Sequence, residues 1–211
     1  EFCHYAEIGR NILHGRGFST RSFWPAELAA LGPSADRGLD GTPLSRNPLF
    51  AYWSASWMKL AGVNDYGMAL GNMLALALWV VALYWAGLRL FDRRTALWSA
   101  GIWLSLPILQ AGYVQYGYAE LLYGPMLLVI LVLLTESFSN AAPQSPRRLL
   151  ALGTLCGLAY LQRYSFALWL PLIAALPLLL RWRGPLRSGA WLFCGFLLPV
   201  LPWALWWRLA V

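Results

Sequence analysis

The chain is 211 residues long, with 59% hydrophobic and only 12% charged residues. So few charges cannot cover the surface of a soluble domain of this size, which excludes an ordinary water-soluble protein. The net charge of +7 does not call for nucleic acid: most of it sits in short basic joints suited to anionic headgroups, and no basic run carries interleaved aromatics.

The polar part comes first, over residues 1–67. Tyr5, Ile8 and Ile12 share one helical face, with Glu1 one turn before Tyr5, and Glu7 and Arg10 stand at a pairing distance of three residues. Gly15-Arg16-Gly17 stops this first helix. Residues 19–45, with Gly32-Pro33-Ser34 and Asp40-Gly41-Thr42-Pro43, read as loop. A second helix begins at Asn47-Pro48, Asn as N-cap and Pro in the first turn. Phe50, Trp53, Trp57 and Leu60 form its bulky face, while Ala51, Ala55 and Lys59 take the other side. Too short and polar to span, it is expected to lie flat on the outer leaflet.

From residue 68 to 211 the chain is apolar runs broken by charged joints. A helix crosses a hydrocarbon core of about 30 Å with roughly 20 residues. Six spans are expected on that basis, near 68–90, 95–115, 118–135, 149–162, 165–181 and 188–210, the fourth and fifth being short. Arg89, Arg93 and Arg94, then Arg147 and Arg148, then Arg181, Arg183 and Arg187 all fall on one side of such a bundle. The positive-inside rule makes that side cytoplasmic and residues 1–67 extracytoplasmic. The Trp residues near span ends, such as Trp85, Trp182, Trp206 and Trp207, read as interfacial anchors. A chain that opens on Glu and stops as a span leaves the membrane reads as part of something longer, with a first span upstream and a C-terminal part beyond.

Cys3, Cys156 and Cys194 are not placed to pair and read as buried small apolar side chains. His4 and His14 lack a third ligand at a recognisable spacing, so no metal-ligating residue is assigned. Two charges stand out in the membrane part. Glu120 opens the third span, as a headgroup-level residue or as part of a substrate cavity. Arg163 ends the fourth on the outer side, either snorkelling beside Tyr164 or holding an anionic ligand by paired hydrogen bonds. Tyr113, Tyr116, Tyr118 and Tyr123 lie around the same rim as an aromatic belt.

Several stretches have a familiar order. Glu1-x-x-x-Tyr5-x-x-Ile8-Gly9-Arg10-Asn11-Ile12-Leu13-x-Gly15-x-Gly17-Phe18 resembles the first outer loop of the GT-C membrane glycosyltransferases, in the protein-mannosyltransferase and aminoarabinose-transferase-like group. Arg46-Asn47-Pro48-Leu49-Phe50 resembles the entry to that group's membrane-surface helix. Leu88-Arg89-Leu90-Phe91 with Arg94-Thr95-Ala96-Leu97 resembles its first cytoplasmic turn, and Gly157-Leu158-Ala159-Tyr160-Leu161-Gln162-Arg163 a later span ending in Arg. One departure concerns the leading acid, usually Asp in the group and here Glu1, with Phe2 where a second acid can occur.

The resemblance implies an all-α polytopic membrane protein, a GT-C type helical bundle whose long first extracytoplasmic loop carries two short surface helices. It implies inverting transfer of a sugar from a polyprenyl-phosphate donor to a glycan, lipid or protein acceptor in the bacterial inner membrane. Glu1, or an acid directly before it, is then the general base, and Tyr5, Arg46, Asn47, Glu120 and Arg163 the substrate-binding set. The cofactor reading is a lipid-linked donor, with a divalent metal left open; membrane lipids are partners and nucleic acid is not. A transporter or non-catalytic multi-span subunit shares the spans and joints, but it does not account for two amphipathic helices ahead of the bundle, and the chain carries no internal repeat.

Overall fold

A bilayer leaves an apolar chain few ways to satisfy its backbone, and the helix is the simplest because every N–H finds its acceptor within the same segment. The computed structural model describes residues 2–20, 46–106, 111, 119–139, 145–179 and 184–210, and they are helical almost throughout, with no strand beyond a bridge residue at Thr20. The helices are α1 (Phe2–Leu13), α2 (Pro48–Ala61), α3 (Asp65–Leu90), α4 (Arg93–Leu104), α5 (Glu120–Ser139), α6 (Pro146–Gln162), α7 (Leu170–Leu179) and α8 (Pro185–Ala210), with a 3₁₀ turn at Tyr164–Trp169. The fold is that of an all-α membrane protein.

Three segments, Asp65–Leu90, Glu120–Ser137 and Pro185–Trp206, are long and apolar enough to cross a bilayer. The other three expected spans are shorter as helices. α4 has 12 residues and ends at Leu104, where the Ser105 N–H turns back to Gly101 and Ile102; much of the rest of the expected 95–115 span lies outside the described residues. α6 has 17 residues and stops where Arg163 goes extended. The expected 165–181 span is split into the 3₁₀ turn and the ten-residue α7.

The chain divides into two compact units, Glu1–Ala77 with Leu106–Leu121, and Leu78–Ser105 with Leu122–Val211. In the first, α1 packs on α2. α1 ends in a Schellman motif: Gly15 takes φ 75°, its N–H donates to the Ile12 carbonyl, and the Arg16 N–H donates to the Asn11 carbonyl at 2.8 Å. The two helices come close because Gly9 has no side chain. A Cβ there would lie 3.4 Å from the Ala55 nitrogen and 3.5 Å from the Met58 sulfur. Tyr5 and Ile8 are buried, as are Phe50, Ala51 and Ala55 on α2, and the Tyr5 ring meets that of Phe50.

The two faces expected of α2 are therefore used differently. Its small face, with Ala51, Ser54 and Ala55, is buried, because a helix bearing Gly approaches most closely where the partner is also small. Trp53 and Trp57, edge to face at 5.6 Å, pack on the start of α3 rather than standing free. The Trp53 Nε1–H donates to the Gly71 carbonyl at 3.1 Å, and a Cβ on Gly71 would sit 2.7 Å from the Trp57 ring. Leu60 stays 75% exposed. Asn64 caps α3, its Oδ1 accepting from the Gly67 N–H at 3.0 Å.

In the second unit α3 turns into α4 where Gly87 meets the Ala96 backbone and Asp92 caps the new helix, accepting from the Thr95 N–H at 2.7 Å. That bond holds the Asp92 carboxyl below its usual pKa. Further along, Gly124 makes room for the Trp79 ring, which stacks on Trp103 at 4.9 Å. α6 and α8 are pressed together backbone to backbone. A Cβ on Gly153 would collide with the Leu192 carbonyl, one on Gly157 would lie 2.5 Å from the Phe196 carbonyl, and one on Gly195 would collide with the Leu150 carbonyl. Small residues at membrane-helix crossings work in this way, since close backbones gain dispersion contacts where lipid supplies no hydrophobic drive. The core here holds Ile130, Leu149, Leu152, Cys156, Phe166 and Leu192. Cys194, expected as a buried small apolar side chain, is instead exposed, on a face of α8 that these packed helices leave uncovered, whereas Cys156 is buried.

Candidate active site

α1 and the entry to α2 bring three of the expected substrate-binding residues to one place. Tyr5 is buried edge to face on Phe50 at 5.0 Å between ring centres. The Arg46 guanidinium, in a residue only 4% exposed, lies over the Tyr5 ring with Cζ 6.0 Å from its centre, a cation–π arrangement. The Asn47 Nδ2–H reaches the Tyr5 hydroxyl oxygen at 3.5 Å. Residues 42 positions apart in sequence, Tyr5 and Asn47, thus meet where Gly9 and Ala55 set the helix crossing. Asn47 departs from expectation in one respect: its backbone is extended as an N-cap requires, yet its side chain makes no cap bond, being turned toward Tyr5. Glu1, the expected base, lies outside the described residues, directly before α1.

Glu120 opens α5 and is half-buried beside the buried Ala119 and Leu121. A carboxylate in the first turn is stabilised by the positive end of the helix dipole. Arg163 belongs to the second unit. It closes α6, its N–H donating to the Ala159 carbonyl at 2.9 Å, and it starts the 3₁₀ turn, its carbonyl accepting from the Phe166 N–H at 2.9 Å. The guanidinium is exposed and lies over Tyr123, Cζ 6.0 Å from the ring centre. Tyr123 in turn meets Phe166 edge to face at 6.4 Å. Tyr164 packs against Tyr160 at 5.5 Å. Of the other expected rim tyrosines, Tyr113, Tyr116 and Tyr118 lie outside the described residues.

Among the described residues no three His, Cys, Asp or Glu side chains stand together as a metal site. A phenol, an amide and a guanidinium at Tyr5, Asn47 and Arg46 suit hydrogen bonding to sugar hydroxyls and phosphate oxygens. Among the buried polar residues to which the sequence reading gave no role are Asn72 within α3 and Gln162 beside Arg163. Each interrupts an apolar run, which is the signal that marks them, because a polar side chain inside a spanning segment is rarely without a role.

The sequence matches the family model described as dolichyl-phosphate-mannose-protein mannosyltransferase over residues 45–207. It is 36% identical over 166 residues to the undecaprenyl phosphate-alpha-4-amino-4-deoxy-L-arabinose arabinosyl transferase of Pseudomonas aeruginosa (strain UCBPP-PA14), covering 75% of this chain and 30% of that protein. The protein of the same name from Erwinia tasmaniensis is 31% identical over 171 residues, with 75% of this chain and 30% of the relative covered. A second such transferase from Sodalis glossinidius is 30% identical over 197 residues, or 86% of this chain and 32% of the relative. The chain therefore spans about a third or less of the length of these curated relatives. No solved structure matches it significantly. Helical membrane architecture and these matches together define the class as that of the GT-C membrane glycosyltransferases. Within that class, the chain belongs to the dolichyl-phosphate-mannose-protein mannosyltransferase family.

Proposed function

We propose that the whole protein transfers a sugar from a polyprenyl-phosphate donor to an acceptor on the extracytoplasmic face of the inner membrane, with inversion at the anomeric carbon. The observation that carries this is the meeting of Tyr5, Arg46 and Asn47 at the end of α1 that follows Glu1. The relatives' names supply the donor class, undecaprenyl phosphate bearing a sugar. Residues 1–67 are the outer segment in this reading, and residues 68–211 the membrane bundle.

The chemistry divides among these residues. The Glu1 carboxylate, or that of an acid directly before it, takes the proton of the acceptor group. The acceptor oxygen attacks the anomeric carbon as the bond from that carbon to the phosphate oxygen breaks, and the electron pair leaves with polyprenyl phosphate. A positioned base contributes about 10²–10⁴-fold, and negative charge growing on the leaving phosphate is stabilised by a cation placed to meet it. Arg163, exposed and held at the end of α6, is that cation in our reading. Tyr5, Arg46 and Asn47 bind the donor's polar groups, and Glu120 orients hydroxyls.

The test uses the full-length protein in nanodiscs with a polyprenyl-phosphate sugar. Glu1→Gln keeps shape but cannot take a proton, so donor binding should stay nearly intact while transfer falls about 10²-fold or more. Arg163→Ala should weaken donor binding and slow transfer together, since the cation meets phosphate in both ground and transition states. Full turnover by Glu1→Gln, with no acid immediately upstream, defeats the assignment.

A further inference from the structure

On the face of α1 opposite Tyr5, Ile8 and Ile12, taking 100° per residue, a small pocket of about 220 Å³ is lined by Glu7, Arg10, Asn11, His14 and Arg16. It does not involve Tyr5, Arg46 or Asn47. We propose that this pocket binds a phosphate group, through the Arg10 and Arg16 guanidinium groups with His14 as a further donor.

The pocket is built rather than incidental. Arg10 on α1 and His14 directly after that helix stand one turn apart, the His14 N–H donating to the Arg10 carbonyl at 3.0 Å. Arg16 comes to the same place only because the chain reverses at Gly15, and that reversal is pinned at several points. The Arg16 N–H donates to the Asn11 carbonyl at 2.8 Å, the Asn11 Nδ2–H to the Ser19 carbonyl at 2.9 Å, and the Thr20 hydroxyl to Glu7 Oε2 at 2.8 Å. These bonds also occupy helix-end acceptors that would otherwise face an anion. Carbonyls at a helix C-terminus are electronegative, but those of Arg10, Asn11 and Ile12 are occupied by the N–H groups of His14, Arg16 and Gly15. Glu7 is the one carboxylate among the described lining residues, and its single charge is outnumbered by those of Arg10 and Arg16.

Among the described residues no carboxylate forms an ion pair with Arg10 or Arg16, and both side chains, with His14, are exposed. Two guanidinium forks carry up to ten N–H donors between them and match phosphate oxygens bidentately, which an ammonium cannot do. The volume of about 220 Å³ is ample for a phosphate group, whether free phosphate or the phosphate of a lipid headgroup presented at the membrane surface.

Full-length protein in phosphatidylcholine nanodiscs, titrated with inorganic phosphate by calorimetry, tests the free source. The same protein in discs containing phosphatidic acid, with co-purified lipid measured by mass spectrometry, tests the headgroup source. Saturable binding of either probe is expected, weakened about tenfold or more in Arg10→Gln/Arg16→Gln, with Arg208→Gln, an exposed arginine elsewhere, as an unchanged control. If the double variant does not fold, Arg16→Gln alone, on the exposed turn, carries the same expectation. Binding of neither probe by the wild-type protein, or undiminished binding by a folded variant, overturns the proposal.

Discussion

Asn47 shows how a single side chain can choose between local and tertiary partners. A capping Asn replaced by Ala ordinarily costs about 1 kcal/mol. Here the amide is directed to the Tyr5 hydroxyl at 3.5 Å instead of the α2 backbone. Asn47→Ala should therefore lower the melting temperature of the purified protein less than a cap loss would, while Tyr5→Phe and Asn47→Ala each reduce transfer and the double variant adds little to either. Additive losses in a double-mutant cycle would separate the two residues. Asp92 makes the opposite choice and caps α4 directly. Its folded pKa lies below the ordinary carboxylate value because the Thr95 N–H donates to it. The stability it provides is thus fully present above the usual carboxylate range and is lost as pH falls through the lowered value. Thermal melts of wild type and Asp92→Ala should differ at pH 7 and converge as the medium is acidified through that range.

At the scale of the elements, glycine spacing decides which helices touch. Gly153 and Gly157 on α6 and Gly195 on α8 let two backbones approach to a distance that no Cβ tolerates. Gly189, on the same helix as Gly195, has open space where a Cβ would stand. Gly195→Ala should lower thermal stability by about 1–3 kcal/mol, as overpacking does. Gly189→Ala should be neutral or slightly stabilising, because Ala exceeds Gly in helix propensity by up to about 1 kcal/mol. Equal melting temperatures for the two would remove the crossing from the account. A polar contact supports the same bundle. Glu136, near the end of α5, accepts from Arg148 Nη2 at 2.6 Å and lies 3.5 Å from Arg89 Nη1, tying the ends of α3 and α5 to the start of α6. Both arginines belong to the basic clusters that the sequence places on the cytoplasmic side, so at least part of that positive charge is spent on joining helices rather than on headgroups.

For the molecule as a whole, orientation is the property to test. With the native cysteines replaced, a thiol at His14 should react with an impermeant reagent in intact cells and one at Ser145 should not, both positions being exposed. The reverse pattern would invert the assignment of sides. A bilayer around the second unit also accounts for the large apolar side chains left uncovered there, such as Val81, Trp98, Leu168 and Phe193. On a water-facing surface these would form a continuous liability.

Composition and hydropathy by themselves determined that the chain is helical and membrane-embedded, because backbone satisfaction in lipid admits few alternatives and long apolar runs advertise it. The start of α2 at Pro48 and the stop of α1 near Gly15 were equally legible, since caps and positive-φ glycines are local devices. Expected span lengths were less secure. An apolar run reports that a segment can sit in lipid, and says nothing of the 3₁₀ turn that Arg163 introduces between α6 and α7. Which face of α2 is buried, which ring lies under Arg163, where the Asn47 amide points, and that Gly153, Gly157 and Gly195 form one crossing were decided only in three dimensions. Each depends on a partner many residues away, and hydrophobic periodicity marks a face as apolar without naming what will cover it.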